Sequence, residues 1–424
     1  METNRLPEFF EVVCYRREEA DRSMRDDERT VTGKGQAMGK NHLIPVYGRY
    51  PVTLSHGQGA EVWDDNGKHY WDFLAGIGVN SLGYRHKRVL AALEKAQSLL
   101  HTSNLFWHHP GIDLSNKMAE ITGGYLSLWV NSGTEANEAG IKLMRRYGKS
   151  VGRSAILSLS NGFHGRTMGS LSATFVSAYQ DPFAPLVPDF HEVEAGSITA
   201  LEEALNRFHP CGLLLEPIQG EGGVVPLPPG YLSQAVKVAH DAGCLVLIDE
   251  VQTGIGRSGD WFGFQTEKIE PDIITVAKGL GSGIPIGGML AKEEVAQYFR
   301  PGEHGSTFGG NPLASTVALE VLDWLATEGL DHIRKMAPVM ENTLRLLHQE
   351  FPDLVSGYRG QGLMWGLVVR TPATWIVKEA LDQGLIVNAP KPDVIRLLPP
   401  LIIDEEAVDA FYTIMTKVLQ RAEK

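Results

Sequence analysis

The chain has 424 residues, of which 43% are hydrophobic and 21% charged, and its formal net charge is −12. This is the composition of a globular protein long enough for two or three domains. The acidic balance, with no basic patch, argues against a nucleic-acid partner or an anionic membrane. No apolar stretch approaches the ~18 residues that span a bilayer, and we find no signal-peptide core near the N-terminus.

The three cysteines, Cys14, Cys211 and Cys244, are odd in number and lack metal-ligand spacing. We therefore expect free thiols in a reducing compartment, which makes a cytoplasmic location the default.

Residues 1–40 differ in composition from the rest of the chain. They are rich in Arg, Glu and Asp and poor in apolar residues, so we expect a poorly ordered N-terminal extension. Met38 is a second candidate start of the folded protein. Retention of Met1 in protein made from the native gene would exclude that start.

The next segment predicts a β-hairpin, because residues 60–73 contain two strand-like runs around Asn66-Gly67. Helical periodicity follows at 88–100 and 110–122.

Apolar strands alternate with helices between about residues 125 and 310. We predict strands at 126–130, 155–158, 212–215, 245–248 and 273–276, and helices at 135–147, 198–208 and 231–242. Strands that are apolar on both faces and separated by helices indicate an α/β fold. Its mostly parallel central sheet would be flanked by helices, with ligands at the carboxyl ends of the strands.

The chain after Pro312 predicts a smaller α+β domain. A long helical stretch runs to about residue 347, a strand pair is expected within 360–369, and Arg396 begins an Arg-Leu-Leu-Pro-Pro segment.

The first predicted strand leads into a candidate phosphate site. Ser132 and Thr134 occupy N-cap-like positions and Gly133 allows close approach. Exposed amides and the dipole at a helix N-terminus suit a phosphate. Ordinary helix capping by one hydroxyl is the alternative.

Two further strands end in residues that suit a planar ligand and a carboxylate. Phe163 can stack on a ring, and Arg166 can bind a carboxylate through two hydrogen bonds. A core phenylalanine and a solvated arginine are the alternatives. Glu216 and Glu221 follow the next strand in a glycine-rich loop, where one carboxylate could be held for an arginine partner.

The last two strands of this region end in Asp249 and Lys278. An aspartate emerging from a strongly apolar strand needs a cationic partner, and a protonated ring nitrogen would serve. A desolvated lysine amine can attack a carbonyl to form a Schiff base. A lysine that points into solvent is the alternative. The phosphate site, aromatic ring, acid and lysine together indicate pyridoxal 5′-phosphate.

These motifs resemble those of the class III aminotransferases of fold type I, most closely the acetylornithine aminotransferases, over about residues 44–420. The segments that carry the resemblance, in matching order and spacing, are 131–138, 163–167, 216–222, 247–254, 277–279 and 306–312.

The resemblance implies a domain organisation and a homodimer with shared active sites. It implies a large pyridoxal-phosphate-binding domain at 91–310 and a small C-terminal α+β domain at 311–424. An N-terminal segment at 41–90 would pack with the small domain.

The resemblance also implies a role for each site residue. Lys278 would hold the cofactor covalently and carry the proton, and Asp249 would pair with the ring nitrogen. Further cofactor contacts are implied for Ser132, Gly133, Thr134, Phe163, Glu250, Val251, Gln252 and, toward the neighbouring subunit's phosphate, Thr307. Substrate contacts are implied for Arg166, Glu221, Ser306 and Arg396. Glu221 would mask Arg396 for one substrate and release it for the other. No metal site is expected.

The implied reaction moves the terminal amine of N-acetylornithine, or of a similar N-acylated diamino acid, to 2-oxoglutarate. The products are the semialdehyde and glutamate, formed by a ping-pong mechanism in arginine or lysine biosynthesis. Ile77 stands where free-ornithine aminotransferases have a tyrosine, which favours an acylated amine. Thr134 stands where many acetylornithine enzymes have alanine, so the acyl group stays open.

Other functions remain as alternatives. An ω-aminotransferase acting on 4-aminobutyrate, succinylornithine, ornithine or a carrier-protein-bound lysine shares the motifs. So does a glutamate-1-semialdehyde-type aminomutase. A non-catalytic scaffold with this fold is a third possibility.

Overall fold

The computed structural model describes residues 42–423. The predicted N-terminal extension, Met38 and Cys14 lie outside the described residues. The described chain falls into two compact units, one of residues 42–56 with 63–68 and one of residues 57–62 with 69–423. Within residues 42–423, no helix combines the length and apolar character needed to cross a membrane.

The strands are numbered in chain order. They are β1 Leu54–Gln58, β2 Glu61–Asp64, β3 His69–Asp72, β4 Leu126–Val130, β5 Ile156–Leu159, β6 Phe190–Val193, β7 Gly212–Leu215, β8 Ile218–Gln219, β9 Val225–Pro226, β10 Leu245–Asp249, β11 Ile273–Val276, β12 Gly287–Ala291, β13 Val355–Gln361, β14 Met364–Val369, β15 Leu385–Ile386, β16 Asn388–Lys391 and β17 Val394–Leu397.

The longer α-helices are numbered in the same way. They are α1 Lys87–Ala96, α2 His109–Thr122, α3 Gly133–Val151, α4 Ile198–Phe208, α5 Tyr231–Asp241, α6 Pro312–Trp324, α7 Leu330–Glu350, α8 Ala373–Asp382 and α9 Glu405–Ala422. A π-helical turn, Leu325–Gly329, connects α6 to α7.

The main sheet has seven strands in the order β4-β12-β11-β10-β7-β5-β6. Only β12 runs antiparallel to its neighbours, whereas the remaining pairs are parallel. Strands β5, β7, β11 and β12 are buried along their whole length, as expected for a sheet covered on both faces. The predicted α/β fold with a mostly parallel sheet is confirmed.

Two strands of this sheet, β6 and β12, were not predicted. β12 begins with Gly287-Gly288, residues with poor strand propensity. Tertiary contact explains the glycines, because a β-carbon on Gly288 would lie 2.6 Å from the Trp129 ring on β4. The close approach of the neighbouring strand outweighs the local preference.

A second sheet forms in the C-terminal part of the chain. Strands β13-β14-β17-β16 are antiparallel, which confirms the predicted strand pair and extends it. Arg396 lies in β17 opposite Gly366 of β14 and is only 1% exposed. The division into a large and a small domain near residue 310 stays a prediction.

The predicted hairpin is present. The amide of Asp72 in β3 donates to the carbonyl of Ala60 at 2.8 Å, and in the turn the amide of Gly67 donates to the carbonyl of Asp64 at 3.0 Å. β3 then pairs in parallel with β15. This pairing holds the start of the segment that follows β3, which leads to Val79 in the wall of the cavity described next.

Candidate active site

A cavity of about 430 Å³ lies at the carboxyl ends of the parallel strands of the main sheet. It is lined by Val79, Asn131, Ser132, Gly133, Thr134, Asn137, Phe163, His164, Gly165, Arg166, Glu216, Asp249, Val251, Gln252, Ala277, Lys278, Gly283, Ile284, Pro285 and Ile286. The volume suits a small cofactor or substrate. Most of the site residues predicted from the sequence are therefore brought together in one place.

Lys278 follows β11 and faces this cavity. Burial lowers the pKa of its amine. The negative charge of Glu221 opposes this shift, and the positive charge of Arg396 reinforces it. A lysine with a lowered pKa is more often neutral and can act as a nucleophile or a base. Lys278 is half-buried in the cavity wall, whereas the alternative places it in open solvent.

Asp249, the last residue of β10, is 3% exposed. One carboxylate oxygen accepts from Asn137 Nδ2 at 2.7 Å and lies 2.8 Å from His164 Nδ1. The other accepts from the amide of Val251 at 3.0 Å. Three separate segments therefore hold this carboxylate at the cavity wall.

Sequence reasoning missed the two side chains that hold Asp249. Asn137 lies on α3 one turn beyond Gly133, and its side-chain oxygen also accepts from Thr275 Oγ1 at 2.7 Å. His164 has a fully buried side chain, and its Nε2 has no hydrogen-bond partner among the described residues. Both residues lie inside motifs that were noted, and the available signal was their polar character next to buried strands.

The start of α3 combines helix capping with a wall of the cavity. Ser132 is the N-cap and accepts from the amide of Glu135 at 3.3 Å. The Glu135 carboxylate accepts from the amide of Asn131, the residue before the N-cap, at 2.7 Å. The capping alternative therefore holds for the Ser132 hydroxyl. Gly133 and Thr134 still face the cavity, where a helix N-terminus attracts an anion.

Phe163 and Arg166 lie together at the cavity edge. The amide of Phe163 donates to Glu216 Oε2 at 2.9 Å. The Arg166 guanidinium carbon is 3.6 Å from the centre of the Tyr179 ring, a cation–π contact that was not predicted. No carboxylate within residues 42–423 forms an ion pair with Arg166, so its guanidinium is available to an anionic ligand.

Arg396 and Glu221 form the ion pair that the sequence predicted. Arg396 Nη1 lies 2.5 Å from Glu221 Oε1 and donates to Gln252 Oε1 at 3.2 Å. Its Nε donates to Asn388 Oδ1 at 3.1 Å. Burial would raise the pKa of Glu221, but the charge and hydrogen bond of Arg396 outweigh it and hold that pKa below the ordinary value.

Two of the predicted carboxylates serve the backbone. Glu216 does not pair with an arginine and instead accepts from the amides of Phe163 and Gly220. Burial raises its pKa. Glu250 accepts from Thr253 Oγ1 at 2.6 Å and from the amides of Gly263 and Phe264 at 3.0 Å.

The implied contact of Glu250 with the cofactor stays a prediction. Its carboxylate is turned into its own loop and is absent from the cavity lining. This carboxylate is buried without a cationic partner among the described residues, and three hydrogen bonds from the loop compensate for the cost of removing it from water.

Ser306 and Thr307 do not line the cavity of their own chain. Ser306 Oγ accepts from Asn131 Nδ2 at 3.1 Å, which places it one residue away from the wall. Thr307 is exposed. The implied contact of Thr307 with a neighbouring subunit stays a prediction.

The residues of this site fit pyridoxal 5′-phosphate. A β-carbon on Gly133 would lie 2.7 Å from Val251 Cγ1, so only glycine leaves room for both the helix start and Val251 at the wall. The Asp249 carboxylate and the buried amine of Lys278 are the partners that a pyridine nitrogen and an aldehyde require. Within the described residues no group of His, Cys, Asp and Glu is arranged to hold a metal ion.

Comparison with known proteins places this geometry in a family context. A model of the aminotransferase class-III family matches residues 45–419. The chain is 43% identical over 389 residues to the acetylornithine aminotransferase of Caldanaerobacter subterraneus subsp. tengcongensis, covering 90% of this chain and 98% of that protein. It is 44% identical over 399 residues to the Mycobacterium tuberculosis H37Rv acetylornithine aminotransferase, covering 93% and 97%.

Among solved structures, the ornithine aminotransferase of Toxoplasma gondii ME49 superposes with a TM-score of 0.86 at 31% identity. The match covers 100% of this chain and 99% of that one. A second structure of the Toxoplasma gondii enzyme is described as having partial occupancy of PLP at the active site.

Proposed function

The chain belongs to the class-III aminotransferases, and we propose that it transfers the terminal amine of N-acetylornithine, or of a similar N-acylated diamino acid, to 2-oxoglutarate. It is a pyridoxal-phosphate-dependent aminotransferase whose substrates are a small amino donor and a keto acid. The observation that carries the proposal is the Arg396–Glu221 ion pair, which contacts Gln252 of the cavity wall and whose two charges act on Lys278. This pair supplies a carboxylate-binding group that can be masked or exposed.

Each residue at the cofactor end has a proposed task. Pyridoxal phosphate, when bound, supplies an electron-withdrawing ring for the amino-bearing carbon. Lys278 would hold the cofactor, and its Nζ would take up the proton from that carbon and return it. Asp249 would keep the ring nitrogen protonated, Phe163 would cover the ring and Gln252 would reach its hydroxyl. Ser132, Gly133, Thr134 and Val251 would hold the phosphate and the rest of the cofactor.

Two arginines share the recognition of substrate carboxylates. Arg166 binds the α-carboxylate of the acylated donor, because its guanidinium lies at the cavity edge without an ion-pair partner in the described chain. Arg396 binds the second carboxylate of glutamate or 2-oxoglutarate after Glu221 moves away. Ser306 adds a polar contact near Asn131. One site can thus accept two substrates in turn, as a ping-pong reaction needs.

Ile77 supports an acylated donor. Its apolar side chain stands where the resemblance gives free-ornithine enzymes a tyrosine hydroxyl. Ile77 is 36% exposed and comes two residues before Val79, which lines the cavity. An apolar side chain offers no hydrogen-bond partner to a second free amine. The assay below determines which acyl group the donor carries, and hence whether the enzyme serves arginine or lysine biosynthesis.

The proposed assembly is a homodimer with shared active sites. An apolar face carries Leu105, Phe106 and Trp107, which are 88%, 68% and 92% exposed. Such a large exposed apolar patch is typical of a protein interface. Asn104, in the same segment, donates to the carbonyl of Ser306 at 2.8 Å. The face therefore adjoins Thr307, which would reach the partner's phosphate.

The proposed location is the cytoplasm. Cys211 and Cys244 are both free and buried, as expected of a protein made in a reducing compartment.

A spectral assay tests the function. The visible absorbance of the purified enzyme should change when N-acetylornithine is added and recover with 2-oxoglutarate. Succinylornithine, ornithine and 4-aminobutyrate are the competing donors, and glutamate-1-semialdehyde tests the aminomutase. A larger kcat/KM for any of these would replace the proposed donor, and no change with any amine would favour a scaffold.

The Ile77→Tyr variant tests the acyl preference. A tyrosine hydroxyl should shift kcat/KM toward free ornithine by roughly tenfold, the scale of one polar group in a pocket. An unchanged ratio of the two donors would remove Ile77 from the proposal.

A further inference from the structure

The segment between β3 and α1 contains a left-handed turn. Four consecutive residues, Ala75–Gly78, have positive φ angles of 49°, 64°, 65° and 75°. The amide of Gly78 donates to the carbonyl of Leu74 at 2.9 Å, and that of Val79 donates to Ala75 at 2.8 Å. Glycine adopts this conformation readily, whereas the β-branched Ile77 rarely does. The surrounding structure must therefore hold this turn in place.

Asp72 clamps the beginning of the left-handed turn. One oxygen of its buried carboxylate accepts from the amides of Leu74 and Ala75 at 2.9 and 2.8 Å. The other accepts from the Tyr84 hydroxyl at 2.8 Å. A carboxylate that is 3% exposed needs these donors. Asp72, the left-handed turn and Tyr84 therefore form one hydrogen-bonded unit.

This unit lies directly against the lysine loop, which we define as Lys278–Gly283. Ser81, which is fully buried, donates through Oγ to the carbonyl of Gly279 at 2.6 Å. The amide of Leu82 donates to Ser282 Oγ at 3.0 Å. A β-carbon on Gly279 would lie 3.6 Å from the carbonyl oxygen of Gly78. The two segments are thus joined by two hydrogen bonds, and Gly279 lies close to the backbone of Gly78.

The lysine loop is itself strained. Lys278 has a φ of 39° and Ser282 a φ of 41°. Non-glycine residues in this region occur where neighbouring structure fixes them, often at functional sites. At the lysine loop, the neighbouring structure includes Ser81, whose hydroxyl donates to the carbonyl of Gly279, the residue after Lys278.

The same segment also contacts the strand that carries Arg396. The amide of Leu398 donates to the carbonyl of Phe73 at 2.8 Å, and that of Leu401 donates to Ser81 at 2.7 Å. The left-handed turn therefore lies between the lysine and the chain that follows the substrate-binding arginine.

We propose that Ser81, held by the left-handed turn and its Asp72 clamp, is a positioning residue for Lys278. By fixing the carbonyl of Gly279 it keeps the strained backbone of the lysine loop, and with it the lysine amine, in one place. Ser81 does not line the cavity, so it acts only through the loop. The inference rests on the proposed role of Lys278. A displacement of about 1 Å at a reacting group can cost about 100-fold in rate.

The test compares Ser81→Ala with Ser158→Ala in the full-length holoenzyme. Ser158 is a matched control because it is equally buried and donates to the carbonyl of Ala173 at 2.7 Å, away from the lysine loop. For Ser81→Ala we expect kcat to fall roughly tenfold, with KM for both substrates changed less than about twofold. Ser158→Ala should keep the parent's kcat.

A spectroscopic readout separates positioning from stability. Loosening the loop should admit water to the amine, so the pH midpoint of the bound cofactor's visible absorbance should rise in Ser81→Ala. The charged groups around Lys278, namely Glu221, Arg396, Asp249 and Glu216, are the same in both variants. The midpoint should not move in Ser158→Ala, even if its melting temperature falls as far.

Asp72 provides a second pair of variants. Asp72→Asn can still accept the two turn amides, so it should change kcat less than Asp72→Ala. The inference is overturned if Ser81→Ala keeps the parent's kcat and midpoint, or if Ser158→Ala shifts both equally. Failure of the proposed function would look different, because the parent protein itself would then show no spectral change with any amine.

Discussion

The proposed cofactor end of the site, with Lys278 and Asp249, and its proposed carboxylate end, with Arg396 and Glu221, differ in how firmly their charged groups are held. Asp249 is 3% exposed and bonded by Asn137, His164 and Val251 from three segments. Glu221 lies in a glycine-rich loop, its side chain is 27% exposed, and Arg396 is its partner.

This difference matches what each end must do in a transaminase. The proton transfer at the cofactor is the same for both substrates, so its groups can be fixed once. Carboxylate recognition has to change between donor and acceptor. Glu221 is partly exposed, so water can solvate it as it moves, and the incoming substrate carboxylate would take its place beside the buried Arg396.

The largest effect is expected from Lys278→Ala. Without the amine, both covalent attachment and proton transfer are lost, so turnover should fall by at least about 10⁴-fold. The visible absorbance of the lysine-bound cofactor should disappear with it. Lys268→Ala, which removes an exposed lysine outside the cavity, is the control. Retention of the absorbance by Lys278→Ala would break the assignment of the cofactor end.

Asp249→Asn should have the next largest effect. The substitution keeps the shape but removes the negative charge that pairs with the ring nitrogen, so kcat should fall roughly 10²–10³-fold. Cofactor should still bind covalently to Lys278, which absorbance and mass measurements can check. Wild-type turnover in this variant would show that the ring nitrogen has another partner.

Glu221→Ala probes the carboxylate end. Removing the mask frees Arg396 to attract the carboxylate of the donor into the wrong position. The half-reaction with N-acetylornithine should slow by about tenfold, and the half-reaction with glutamate should change less. Single-turnover kinetics of the two half-reactions measure this directly. An equal effect on both would refute the switch.

The smallest effect concerns stability and pH. Burial raises the pKa of Glu250 from 4.5 to about 7. Its contribution to the free energy of unfolding is therefore full below about pH 4.5 and is lost as the pH rises toward 7. Glu221 has the opposite sign, because its lowered pKa gives a contribution that is present above about pH 4.5 and is lost as the pH falls through the lower folded-state value.

Urea unfolding between pH 4 and 8 measures both contributions. In the parent protein, the free energy of unfolding should decline by on the order of 1 kcal/mol per pH unit between about pH 5 and 7 because of Glu250. Glu250→Gln should remove this decline. Glu221→Gln should leave that decline unchanged and should alter the free energy of unfolding at the acidic end of the range instead. Identical profiles for the two variants would contradict the opposite directions of the Glu250 and Glu221 pKa shifts.

Much of the site was predictable because parallel strands place their carboxyl ends at one edge. Lys278, Asp249, Gly133 and Phe163 follow four different strands, and the strand pattern alone brings them together. The Glu250 carboxylate shows the limit of this logic. Glu250 is next to Asp249 in sequence, yet its carboxylate is turned into its own loop by Thr253 and the amides of Gly263 and Phe264.

The chain sequence determined the alternation of strands and helices, the residues at the strand ends and the family, since these depend on local pattern and spacing. The tertiary structure alone decided which groups hold Asp249, that Arg166 stacks on Tyr179, and that a left-handed turn supports the lysine loop. Those contacts join residues up to about 200 positions apart, such as Ser81 and Gly279. Packing of distant segments selects them against local preference, so no sequence window contains their cause.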